Sequence, residues 1–213
     1  MPSRLYKDLK LWYKPNRNST GVTHSQIPSG NTGNGVFTGG DNSDNLAELS
    51  GETCPSLRLD SSRDTWVIDN LNTNQIITDK EFTFYIDFDV INSSNNQVFR
   101  LKNSNSNAII TIGILSDSEP TKYRILSSAG SGTWIPSSPN AFYGYVKMII
   151  KYDGAKLILF INGQEVGENA ENFTDVIDKI SLDTAAARVV EIKEIAMWNF
   201  PKTNAECLEL TRT

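Results

Sequence analysis

A chain of 213 residues is sized for one hydrophobic core, and a formal net charge of −5 argues against a nucleic-acid partner, because phosphate binding needs a basic stripe and the sequence has none. No apolar run approaches the ~20 residues of a membrane-spanning helix, and residues 1–8 lack the apolar core of a signal peptide, so no membrane insertion is expected. Two cysteines, Cys54 and Cys207, and one histidine, His24, are too few for a disulfide framework, a four-sulfur zinc site or histidine chemistry. The cysteines read as buried structural thiols and His24 as a solvated loop residue.

Hydrophobic residues make up 38% and charged residues 21% of the chain, and the abundant Asn, Ser, Thr and Gly imply many turns between short strands. Residues 9–13 read as a first strand. From residue 14 to about residue 56 the chain is dense in turn formers and lacks sustained alternation, which predicts a long irregular loop. Strands follow over 56–60 and 65–69. In residues 81–90, Phe82, Phe84, Ile86, Phe88 and Val90 share one face, and Thr83, Tyr85, Asp87 and Asp89 share the other. This strict period of two excludes a helix and predicts one core-facing side and one facing solvent or ligand.

Residues 97–101 and 108–114 flank an Asn/Ser cluster and predict a hairpin; residues 123–126 give a weaker strand. Residues 130–140 hold Trp134 together with Pro136 and Pro139, which a ladder strand does not accommodate. Residues 145–152 alternate again, with Val146, Met148, Ile150 and Tyr152 on one face. Asp153-Gly154 and Asn162-Gly163 then supply the positive φ of two tight turns around residues 156–161, so a three-stranded meander is expected. The core expectation is that Phe82, Phe84, Ile86, Phe88, Val146, Met148, Ile150, Leu157, Leu159 and Ile161 are buried. After strands over 177–182 and 189–198, Thr203 or Asn204 can cap a helix of at most about two turns, whose Cys207, Leu208 and Leu210 fold back on the strands.

From Leu9 to Thr211 this pattern resembles the concanavalin A-like lectin/glucanase superfamily, including laminin-G-like domains. The segments that carry the likeness are Leu57-Arg58-Leu59-Asp60 with Trp66-Val67-Ile68, the Phe82–Ile86 strand, the meander, the closing Ile192–Asn199 strand and the acidic helical tail at Glu206. The resemblance implies an all-β, two-sheet antiparallel jelly-roll sandwich with a short C-terminal helix, formed as a single domain over residues 1–213. It does not by itself imply a function, because such sandwiches host lectins, glycanases, adhesion modules and virion proteins.

Glycanases of the superfamily place acid and base carboxylates alternately on one strand, since retaining hydrolysis needs two carboxyls ~5 Å apart. Here Glu191-Ile192-Lys193-Glu194 has lysine where the family has aspartate and the wrong separation between its glutamates, so no catalytic residues and no enzyme are expected. Some relatives hold calcium with loop oxygens. The Asp41-Asn42-Ser43-Asp44-Asn45 cluster has the atom types without the spacing of a calcium loop, so a turn cluster is the preferred reading, and neither a metal nor another cofactor is expected.

Trp66 and Trp198 read as core residues and Trp12 as divided between core and sheet surface, whereas the loop residue Trp134 has two readings, a plug that closes one end of the sandwich, the preferred one, and a flat platform for sugar rings. With strands 81–90 and 145–152 adjacent, Tyr85, Asp87, Tyr145 and Lys147 join Trp134 as the candidate ligand-binding residues, a polar-aromatic face for a carbohydrate. The expected function is a non-catalytic virion protein, of the phage head-fibre or tail-associated kind, that recognises surface glycans and contacts other virion proteins or its own copies. The alternative is a carbohydrate-binding module of a cellular or secreted protein. Virion location, as against an extracellular or cell-surface one, rests on the Asn/Ser/Thr-rich strands, the scarcity of Cys and His, and the absence of a signal peptide before a domain that starts near Met1.

Overall fold

The computed structural model describes residues 8–13, 36–38, 46–47, 56–59, 65–69, 71–72, 77–92, 97–114, 123–127, 133–134, 145–183 and 189–213. In chain order the strands are β1 (Leu11–Tyr13), β2 (Val36–Thr38), β3 (Leu46–Ala47), β4 (Ser56–Leu59), β5 (Thr65–Ile68), β6 (Phe82–Asn92), β7 (Gln97–Lys102) and β8 (Ala108–Ile114). They continue with β9 (Tyr123–Ser127), β10 (Thr133–Trp134), β11 (Val146–Tyr152), β12 (Lys156–Ile161), β13 (Gln164–Ala170), β14 (Lys179–Asp183) and β15 (Val189–Trp198), and the helix α1 (Asn204–Leu210) closes the chain. No helix among the described residues is long and apolar enough to cross a membrane.

Two antiparallel sheets result. The eight-stranded sheet runs β13-β12-β11-β6-β15-β4-β3, and β1 pairs with the C-terminal half of β15 beyond the reach of β4. The seven-stranded sheet runs β10-β9-β8-β7-β14-β5-β2. Strands β2 and β3 lie inside the stretch expected to be irregular, and this corrects the loop of 14–56: Val36–Thr38 pairs with β5 and Leu46–Ala47 with β4. Strands of two or three residues show at most one alternation, so periodicity cannot reveal them.

Between the sheets, all ten residues expected in the core are at most 1% exposed. They meet Phe99, Leu101, Ile110, Ile112, Ile125 and Ile180 of the other sheet in one cluster. Phe88 and Phe99 bridge the layers edge to face, with ring centroids 5.2 Å apart. Full burial of each such side chain contributes about 1.5–3 kcal/mol.

The meander forms as expected. Gly154 adopts φ 91°, while Asn162 and Gly163 adopt φ 47° and 76°, the paired left-handed residues of a tight hairpin turn. In α1, Thr203 is the N-cap: its hydroxyl accepts from the Glu206 amide while the Glu206 carboxylate accepts from the Thr203 amide, a complete capping box.

The helix lies on the outer side of the eight-stranded sheet. Cys207 and Leu210 are buried there with Leu9, Tyr85, Ile149, Ile158, Phe160, Ala196 and Trp198, and Leu208 packs against them. Trp198 is therefore buried as expected, but beneath the helix rather than between the sheets. Thr83 fastens the approach to the helix, accepting from the Lys202 amide at 2.9 Å and donating to the Phe200 carbonyl at 3.0 Å. Cys54, His24, the Asp41–Asn45 cluster and the side chain of Trp66 lie outside the described residues.

Candidate functional site

The helix divides the outer face of the eight-stranded sheet. Along β6 the outward residues are Thr83, Tyr85, Asp87 and Asp89; the first two are buried under the C-terminal segment, while Asp87 and Asp89 are partly exposed. Tyr85, expected on an open face, is only 3% exposed, a correction whose cause is the folding of Leu9, Trp198 and Cys207 over it. The same cover buries Ile149 and Lys151 on β11, where the Lys151 ammonium donates to Asn204 Oδ1. Tyr145 and Lys147 lie toward the uncovered end and are half-buried.

At that end β6 is paired on both sides, with Lys147 opposite Asp87 from β11 and Glu194 opposite Asp87 and Glu191 opposite Asp89 from β15. Glu191 and Glu194 are three apart, a spacing that places side chains on opposite faces of a regular strand. A bulge between Ile192 and Glu194, with Lys193 as the extra residue, brings both carboxylates to the outer side while Ile192 and Ile195 both reach the core. Two successive polar residues between two isoleucines are the trace this bulge leaves in the sequence. It is the signal that could have identified Glu191 and Glu194 as site residues.

Both carboxylates are held by aromatic donors. The Tyr145 hydroxyl donates to Glu191 Oε2 at 2.7 Å, and the Trp12 indole N–H donates to Glu194 Oε1 at 2.6 Å. Glu191 is 1% and Glu194 8% exposed, so these are charge-assisted bonds in a sheltered place. Lys193 sets its ammonium 3.6 Å from the Tyr145 ring centroid, which occupies one face of that ring with a cation. The Lys147 ammonium donates to the Arg212 carbonyl at 2.8 Å, while its backbone amide donates to Asn162 Oδ1 at 2.9 Å.

Trp134 stands apart from this group. It belongs to β10, opposite Ile125 of β9 at the edge of the seven-stranded sheet. Its strand belongs to a different sheet from Asp87, Tyr145 and Lys147, and its side chain lies outside the described residues. The uncovered end thus unites Asp87, Tyr145 and Lys147 with Trp12, Asp89, Glu191, Lys193 and Glu194. Chemically it offers carboxylate acceptors for hydroxyl donors, with aromatic rings at the border. No group of three or more His, Cys, Asp or Glu among the described residues could hold a metal ion.

No family model matches the chain, and no curated protein is similar to it in sequence. Among solved structures it is similar to the Trypanosoma rangeli sialidase in complex with the inhibitor DANA, at 11% identity and TM-score 0.66 over 94% of this chain and 32% of the sialidase. It is also similar to the binding domain of botulinum neurotoxin serotype D/C, at 12% identity and TM-score 0.69 over 97% of this chain and 52% of that one. A third likeness is to domain 4 of AbnA, an extracellular GH43 arabinanase from Geobacillus stearothermophilus, in complex with arabinotriose, at 16% identity and TM-score 0.63 over 96% of this chain and 98% of that domain. The chain spans about a third of the sialidase and about half of the neurotoxin domain. At such identities the likeness is one of architecture: the chain shares a two-sheet antiparallel β-sandwich with the matched parts of these structures.

Proposed function

We propose that this chain is a non-catalytic carbohydrate-recognition module acting in surface adhesion, and that it works on a virion as a head-fibre or tail-associated component. The observation that carries the recognition reading is the uncovered end of the eight-stranded sheet, where Tyr145 and Trp12 border the carboxylates of Asp87, Asp89, Glu191 and Glu194. The partly exposed Asp87 and Asp89 present acceptors to sugar hydroxyls, and the buried Glu191 and Glu194, fixed by the ring donors, hold Tyr145 and Trp12 in position beside them at little further entropic cost. The open sheet predicts weak binding of a short glycan segment, since a shallow face covers little of a ligand.

A binding role is favoured over hydrolysis because Lys193 stands between the two glutamates, where a glycanase strand of the resembled superfamily carries a carboxylate. The virion assignment is supported by composition: Asn/Ser/Thr-rich strands and few cysteines or histidines. A second reading, a binding module within a larger cellular or secreted enzyme, is favoured by the arabinanase domain, which this chain covers over 98% of its length.

A glycan array probed with the purified chain and with Tyr145→Ala and Glu191→Gln tests the recognition reading. Binding of neutral glycans that weakens at least about tenfold in folded variants supports it, since ~1.4 kcal/mol is within one aromatic contact. Hydrolysis of β-glucans that Glu191→Gln or Glu194→Gln abolishes would overturn the non-catalytic assignment. Particle-bound chain detected by immunogold labelling would support the virion location, and its absence from particles would favour the second reading.

A further inference from the structure

The turn between β12 and β13 sets a reactive pair of residues side by side. Asn162 is followed by Gly163, which has no side chain to shield its amide nitrogen from the Asn162 carboxamide. The Gly163 nitrogen can attack Cγ of Asn162, because the bond closes a five-membered ring. As the N–Cγ bond forms, the Gly163 amide gives its proton to a water-derived base, the Cγ–Nδ2 bond breaks, and the side-chain nitrogen leaves as ammonia. Water then opens the cyclic imide at either carbonyl, leaving aspartate or isoaspartate at position 162, with no oxidant or reductant involved. The other Asn-Gly pair of the sequence, Asn34–Gly35, lies outside the described residues.

In the folded chain both reacting groups are held. Asn162 is clamped to Lys147 at two points: its backbone amide donates to the Lys147 carbonyl at 3.0 Å, and its Oδ1 accepts from the Lys147 amide at 2.9 Å. The Gly163 amide donates to the Thr211 hydroxyl at 3.1 Å, and that buried hydroxyl donates in turn to the Cys207 carbonyl at 2.8 Å. With its own proton committed, the Thr211 oxygen accepts a hydrogen bond without acting as a base. An N–H that donates such a bond is harder to deprotonate. Cyclisation therefore requires the Asn162 carboxamide to leave Lys147 and the Gly163 amide to leave Thr211.

We propose that Asn162–Gly163 is a latent deamidation site and that the C-terminal segment, through Thr211, is the lock that keeps it closed. Thr211 directly follows the seven residues of α1, and the Lys147 ammonium adds a bond to the next carbonyl, that of Arg212. Conversion follows local opening of this segment rather than global unfolding, and its rate falls in proportion to the fraction of molecules that are open. The isoaspartate product routes the backbone through an extra methylene, so the two-point clamp on Lys147 no longer matches the turn. Redocking of the segment does not reverse the change, which makes the device one-way.

Peptide mapping by mass spectrometry of the full chain at mildly alkaline pH, native and in guanidinium chloride, measures conversion at position 162. Native conversion is expected to be about tenfold or more slower than in the unfolded chain. Thr211→Val, which keeps the shape of the side chain and removes its hydroxyl, is expected to speed native conversion about threefold or more, while Thr211→Ser keeps the wild-type rate. Hydrogen exchange in the wild-type chain needs no variant and decides the matter if Thr211→Val does not fold. Protection of the Gly163 amide is expected to match the slowing of deamidation within about threefold, since both need the same opening. It is also expected to be weaker than protection of the Phe84 amide in the central strand, which reads global unfolding. Equal conversion in native and unfolded chains, or an unchanged rate in folded Thr211→Val, overturns the inference. So does a Gly163 amide protected far more strongly than Asn162, because conversion then proceeds with Thr211 in place. Gly163 and Phe84 amides protected alike overturn it as well, because the opening is then global.

Discussion

The hydroxyl of Tyr145 reaches across β6 to donate a 2.7 Å hydrogen bond to Oε2 of Glu191, a carboxylate that is 1% exposed. Tyr145 immediately precedes β11 and Glu191 lies on β15, two strands that flank β6 without touching each other in the ladder. Tyr145→Phe removes this donor while keeping the ring under Lys193, and it is expected to destabilise the chain by about 1–3 kcal/mol, the cost of a buried group losing its partner. Urea unfolding of Tyr145→Phe, Glu191→Gln and the double variant measures the coupling. A change within experimental error for Tyr145→Phe means that this bond does not hold the site together.

Phe84 is buried at the centre of β6, opposite Ile150 on one side and Met197 on the other. Phe84→Ala is expected to cost about 3–5 kcal/mol through lost burial and the residual cavity. Denaturant unfolding reads this directly, and a loss below ~1 kcal/mol would be incompatible with a packed inner face.

Gly163 adopts φ 76°, and a Cβ placed there would stand 3.3 Å from the Arg212 Cγ. Gly163→Ala combines left-handed strain of about 1–2 kcal/mol with a contact that Arg212 must yield to. The turn also receives the C-terminal segment, since the Gly163 amide donates to the Thr211 hydroxyl at 3.1 Å. A lower thermal midpoint with faster amide exchange in residues 204–213 is expected. An unchanged midpoint would show that the helix docks independently of this turn.

Lys202 is buried with its ammonium 4.6 Å from the Trp198 ring centroid and 3.7 Å from Glu206. Burial pushes its pKa below the ordinary 10.5, outweighing the opposing pull of Glu206. Between the folded pKa and 10.5 the unfolded chain binds more protons at this group, so the stability it carries rises with pH through that window, and the cost of the buried charge is fully present below it. Lys202→Met is expected to match or exceed wild-type stability at neutral pH, with its advantage shrinking as pH approaches 10.5. Unfolding midpoints at stepped pH check the sign. A large loss at neutral pH would mean that the ring and carboxylate contacts dominate over desolvation.

Much of the sandwich was legible in short stretches of sequence. The alternation of Phe82, Phe84, Ile86 and Phe88 declares a core-facing strand side, Asp153-Gly154 and Asn162-Gly163 declare two turns, and Thr203 with Glu206 declares the start of a helix. Each is written in a few neighbouring residues because backbone dihedral preference and side-chain alternation act locally. Tertiary structure alone decided which outward side remained open. Thr83 and Tyr85 look as available as Asp87 and Asp89 until a segment more than a hundred positions away closes over them; the Thr83 hydroxyl binds the backbone of Lys202, 119 residues on. The same holds for the assignment of Trp134 to the other sheet and for the bulge that aligns Glu191 with Glu194. These depend on strand order and register, which are set by the summed burial of chain-distant residues and which no local pattern specifies.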